Sequence, residues 1–158
     1  MIWEELNPEL IFTELEAETS DDVMKMIGTE FTRLEYTKDS YVEALIAREA
    51  EFPTGLDVEM ENLGVAIPHT SVEHVNRTGT AIAVLKNPVT FNVMGGDEDE
   101  TVQVGLVFML AVVDPNKHID KLQRIIALIQ DQELLKKLAQ AKTKDEIIAL
   151  VKDKESEL

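Results

Sequence analysis

The chain has 158 residues and a formal net charge of −16, from 31 acidic and 15 basic side chains. Its length fits one domain with a substantial core, and its charge weighs against nucleic acid and anionic membranes as partners, because like charges repel. With no cysteine in the sequence, disulfides, thiolate metal sites and an internal cysteine nucleophile are excluded, which suits a cytoplasmic protein.

In chain order, MIWEELNPEL lacks the basic start and long apolar stretch of a secretory signal. Leu10–Leu15 (LIFTEL) is a short strand candidate. Thr19 or Ser20 can cap a helix whose first turn is acidic, and Val23, Ile27, Phe31 and Leu34 recur at helical spacing. This predicts a helix over about 21–35, with Gly28 inside it. Ser40 and Glu43 have capping-box spacing, so a second helix starts near Tyr41. Tyr41, Leu45 and Arg48 share a face of it, and Pro53 ends it near Phe52.

Three strand-like segments follow: Gly64–Ile67, Thr80–Leu85 and Val102–Val113. The last two are nearly continuous apolar runs, a pattern of strands covered on both faces. VGLVFMLAVV is about half as long as a membrane-spanning helix, so it reads as a core strand. Pro88 and GGDEDE (residues 95–100) read as loops between strands. Pro115 then opens a helix with Leu122, Ile125, Ile126 and Ile129 as its apolar stripe. Glu133–Ala141 is a short helix, and Thr143 with Glu146 boxes the start of a last one through about Lys152. There is no internal repeat or long linker, so residues 1–158 form a single α/β domain with a sheet between helical layers.

The candidates for chemistry near neutral pH are His69, His74 and His118. His69 follows a strand-like run and a proline, at the strand-to-loop junction where α/β proteins place functional groups. Its bland reading is a partly buried loop histidine bonded to a carbonyl. His74 lies in a polar connection and reads as a solvated surface residue. His118 falls on the inward stripe with Leu122, Ile125 and Ile129, in the first turn of a helix whose N-terminus favours anions. From spacing alone, a core-edge histidine satisfied by the backbone is the favoured reading of it. Arg48 either complements a helix dipole or clamps an anion with its guanidinium fork.

Phosphate-loop, dinucleotide, nucleophile-elbow, calcium-loop and zinc patterns are all absent. No cofactor or metal is expected. The candidate chemistry that survives is a histidine as nucleophile with an arginine and a second histidine as assistants, beside the bland readings above.

AREAEFPTG (residues 47–55), GVAIPH (64–69) and HIDKLQRI (118–125), in this order and spacing, resemble the mannitol–fructose type IIA component of the sugar phosphotransferase system. ALIAREAEFPTG is similar to the galactitol-specific branch, and the resemblance covers about residues 10–152. It implies a mixed, mostly parallel sheet sandwiched between helices. It also implies a cytoplasmic phosphoryl carrier that takes phosphate from the phosphocarrier protein HPr and passes it to a cysteine of a IIB partner, while a membrane IIC component takes up the sugar. The phosphorylated histidine of the motif falls on His69, the assisting arginine on Arg48 and the second histidine on His118. Thr70 stands where the family often has glycine, which restricts the backbone beside the phosphate, and residues 56–63 (LDVEMENL) do not match closely. A regulatory relative of nitrogen type and a non-catalytic binding domain are the alternative functions. Positive potential for the phosphate is expected from Arg48 and from the helix end carrying His118, and the acidic remainder is expected to steer contact with a basic patch on a carrier.

Overall fold

The computed structural model describes residues 1–158. A 3-10 turn at Ile2–Glu5 leads into β1 (Leu6–Leu15), followed by α1 (Ser20–Arg33) and α2 (Tyr41–Glu51). Strands β2 (Gly55–Leu56), β3 (Gly64–Ala66), β4 (Gly79–Asn92) and β5 (Thr101–Ala111) come next, and α3 (Pro115–Ile129), α4 (Gln132–Gln140) and α5 (Lys144–Glu155) close the chain. The five strands form one sheet in the order β1-β4-β5-β3-β2. It is mixed: β1 with β4 and β3 with β5 run parallel, while β4 with β5 and β2 with β3 run antiparallel. The short GGDEDE connection forces the central β4–β5 pair into a hairpin, because a parallel pair needs a much longer crossover.

Both faces of the sheet are buried, as the continuous apolar runs predict. Ile82, Val84, Leu106, Phe108 and Leu110 pack with α3, α4 and α5 against Ile125, Leu135, Leu138, Ile147 and Val151. Their alternates Ala81, Ala83, Leu85, Val107 and Met109 pack with α1 and α2 against Val23, Ile27, Phe31, Tyr41 and Leu45. Successive residues of one strand thus serve two cores. Gly28 is where α1 lies close on α2: a Cβ there would sit 3.0 Å from Val42 Cγ2.

Helix starts follow the capping signals with two exceptions. Thr19 caps α1, with Asp22 completing the reciprocal box. Thr143 caps α5 through the Glu146 amide, while the Glu146 carboxylate accepts from Lys142 N and Thr143 Oγ1 instead of the Thr143 amide. Ser40 does not cap α2: its hydroxyl lies 2.8 Å from His74 Nδ1. Pro88 does not end a strand, and β1 starts earlier than Leu10. Pro88 and Pro8 lie inside β4 and β1, each within a register shift where its missing N–H breaks no ladder bond. On α3, Ile126 is exposed, and buried Lys121 and Leu128 take its place.

Candidate active site

β3 and β5 are adjacent and parallel, so their carboxyl ends open on the same edge. β3 continues through Ile67 and Pro68 to His69; β5 continues into α3 and His118. The Leu110 amide donates to the Pro68 carbonyl at 3.0 Å, tying the two exits together. As a result the rings of His69 and His118, 49 residues apart in the chain, meet edge to face with centroids 4.9 Å apart.

His69 is partly buried, and its Nδ1 lies 2.8 Å from the Ile67 carbonyl oxygen. A carbonyl can only accept, so Nδ1 carries the proton in this contact and the Nε2 lone pair is left available. The bland reading of a histidine bonded to a carbonyl is therefore part of the chemistry: that bond selects the nucleophilic tautomer. His118 Nε2 is shielded from solvent and has no hydrogen-bond partner.

The third group comes from α2. Tyr41 and Leu45 are fully buried, and the Tyr41 hydroxyl donates to the Leu110 carbonyl at 2.8 Å, which fixes α2 against β5. Arg48 is exposed rather than inward; the buried row on this face is Tyr41, Leu45, Glu49. The Arg48 guanidinium stacks 4.2 Å from the Phe52 ring and has no carboxylate partner.

Burial pushes the His69 pKa below the ordinary imidazole value; the Ile67 hydrogen bond works against that shift and the Arg48 charge reinforces it. His118 is pushed down as well, by burial first and then by His69, Arg48 and Lys121. Both rings are thus neutral near pH 7, so His118 offers a neutral hydrogen-bonding group and not a positive charge. The amides of α3 that precede His118 are not free for a ligand. Pro115 lacks an N–H, the Asn116 amide donates to Asp114 Oδ1 at 2.9 Å, and the Lys117 amide donates to the Asp114 carbonyl. Lys121 is buried and paired with Glu5. The free positive charge at the site is Arg48 alone.

His74 is no freely solvated side chain: it holds Ser40, and so fastens the loop after His69 to the start of α2. Thr70 needs no glycine-like freedom, because positive φ is confined to Glu14, Glu35, Glu59, Asn62 and Gly95. Three residues near the site escaped sequence reasoning. Glu49 could have been found as a carboxylate at i+8 of the stripe begun by Tyr41 and Leu45. Thr54 and Lys121 gave no such signal, since their partners are distant in sequence.

Residues 4–154 match the family described as phosphoenolpyruvate-dependent sugar phosphotransferase system, EIIA 2. The chain is 32% identical over 117 residues to the galactitol-specific EIIA component of Escherichia coli K12, covering 74% of this chain and 75% of that protein. It superposes on IIA mannitol from Escherichia coli with a TM-score of 0.75 at 28% identity, over 92% of this chain and 98% of the other. Against the complex of enzyme IIAMTL and phosphorylated enzyme IIBMTL from Escherichia coli the TM-score is 0.77 at 26% identity, over 94% and 97% of the two chains. With nearly its full length matched in sequence and in fold, this chain belongs to the EIIA 2 family of the sugar phosphotransferase system.

Proposed function

We propose that this protein is a cytoplasmic phosphoryl carrier that accepts phosphate from phospho-HPr on His69 and passes it to a cysteine of a IIB partner, serving uptake of a sugar alcohol of galactitol type through a membrane IIC component. The observation that carries the proposal is the Ile67–His69 contact, which leaves Nε2 unprotonated beside His118, within the field of an unpaired Arg48. The likeness to the galactitol-specific component supports the sugar class by descent, since this chain itself has no need to bind sugar.

The Nε2 lone pair attacks phosphorus. The new N–P bond forms as the bond from donor to phosphorus breaks, and that electron pair leaves on the donor. His69 keeps its Nδ1 proton throughout, so the phosphorylated ring is cationic and the Ile67 carbonyl offsets that charge. Phosphoryl transfer passes through a loose transition state with charge spread over the oxygens, so placement and electrostatics dominate. Arg48 meets that charge with its fork, and His118 in its Nε2–H tautomer donates to an oxygen. In the onward step a IIB thiolate attacks phosphorus, the N–P bond breaks and its electron pair returns to Nε2. A lone pair held in place by a backbone carbonyl can run this exchange in either direction.

Incubation with phosphoenolpyruvate, Enzyme I and HPr should add one acid-labile phosphoryl group to the mass of the protein. His69→Ala should add none, and a galactitol-type IIB should then remove the group from the wild type. An unchanged mass for the wild type overturns the proposal.

A further inference from the structure

Ile67 is the first residue beyond the β3 ladder, and it is completely buried. Neither of its backbone polar groups is paired within the sheet. Its carbonyl accepts from His69 Nδ1, and its amide donates to Thr54 Oγ1 at 3.2 Å. Thr54 is buried as well, and its hydroxyl has one proton to give. That proton goes to Glu49 Oε1 at 2.7 Å, while the Thr54 amide donates to Glu49 Oε2 at 2.8 Å. Glu49 accepts both bonds on a buried carboxylate with no cation beside it. Burial raises its pKa, and the two Thr54 bonds oppose that rise.

The order of donors along this chain is fixed at one end. A carboxylate that accepts from the Thr54 hydroxyl forces Thr54 Oγ1 to present its lone pairs to Ile67. Ile67 is then held by its amide, and its carbonyl is aimed at His69. The hydrogen bonds run from His69 to Ile67 and from Ile67 through Thr54 to Glu49, joining the residue next to Arg48 to the histidine across the mouth of the site.

We propose that Glu49 and Thr54 are positioning residues for His69: through Ile67 they hold the Nδ1–H tautomer and the direction of Nε2. The proposal rests on the phosphoryl-carrier reading for its consequence in rate, but its claim about the tautomer stands apart from that reading. A group that served only to staple α2 to β3 would lower stability when removed and leave the His69 ring unchanged.

The test uses Thr54→Val, which keeps the shape and removes the hydroxyl; Thr54→Ser, which restores it; and Glu49→Gln, which leaves one of the two Thr54 donors facing an amide NH2. Imidazole 15N shifts report the His69 tautomer in unphosphorylated protein, and the Enzyme I–HPr assay reports the rate of phosphoryl uptake. In wild type, and in Thr54→Ser within about twofold, Nδ1–H predominates. Thr54→Val and Glu49→Gln should shift the ring towards Nε2–H and slow uptake by about ten- to hundredfold, the scale of a misplaced reacting group. Should Thr54→Val fail to fold, Glu49→Gln with its near-identical shape decides alone. Folded variants with the wild-type tautomer overturn the proposal. If the wild type takes up no phosphoryl group, the carrier reading fails while the 15N comparison still decides the positioning claim.

Discussion

Arg48 is the one strongly basic group near the two histidines that no carboxylate neutralises. Removing it should therefore act on the reaction and barely on the fold. Arg48→Ala is expected to slow phosphoryl uptake by about a hundredfold, as loss of one charge-stabilising donor does. It should change unfolding free energy by less than about 1 kcal/mol, because the side chain is exposed and its only contact of note is the Phe52 ring. Initial uptake rates and urea denaturation check the two halves. The depressed His69 pKa gives a second expectation, read by NMR titration of the ring. Its midpoint should fall below 6.5, so the nucleophile stays neutral as the pH drops through the range where a free imidazole protonates. The folded value lies below the unfolded one, so this group's contribution to stability is full above 6.5 and is lost as the pH falls through the folded pKa. His69, His118 and Arg48 were candidates in the sequence by their places beside a proline, in a first helical turn and near a helix end, but spacing alone left a bland reading open for each and the resemblance to the family's motifs singled them out. Glu49 left only the signal of a carboxylate on the apolar stripe of Tyr41 and Leu45, and Thr54 and Lys121 left none, because their partners are brought to them by the fold.

At the scale of elements, the two-residue strand β2 matters more than its length suggests. It pairs with β3 at Gly55–Ala66 and holds Thr54 under Ile67. Gly55 lies so close to the β4–β5 hairpin that a Cβ would sit 2.5 Å from the Asn92 carbonyl oxygen and 2.8 Å from Val102 Cγ1. Backbone cannot yield as a side-chain tip can, so Gly55→Ala should displace β2. The expected cost is about 1–3 kcal/mol in urea denaturation, with slower phosphoryl uptake because Thr54 moves with the strand. Normal uptake in that variant would show that β2 does not govern the histidine. A strand this short leaves no periodic signal, so the sequence reading passes over it. A proline misleads in the opposite sense. Pro88 reads as part of a loop because a regular ladder cannot hold it, and irregularities in register accommodate both it and Pro8 within strands. The capped helices and the doubly buried strands were readable because their signals are local.

At the scale of the molecule, the two chain ends meet. The buried Glu155 carboxylate near the end of α5 accepts from the Ile2 amide at 2.9 Å and the Trp3 amide at 2.7 Å, and Lys152 lies 4.7 Å over the Trp3 ring. Glu155→Ala leaves both amides without their acceptor and should cost about 2–4 kcal/mol. For a domain of this size that lowers Tm by about 5–15 °C, a shift that calorimetry would register. A Tm within 1–2 °C of wild type would mean that water replaces the carboxylate at no cost. Nothing in the sequence announces this contact, since it spans nearly the whole chain and a terminal glutamate ordinarily reads as solvated. Yet Met1 and Leu158, just outside the tie, are both exposed. The backbone is in effect a ring closed by a carboxylate where a peptide linker could stand, so a tag or fused domain leaves from the same corner whichever terminus carries it.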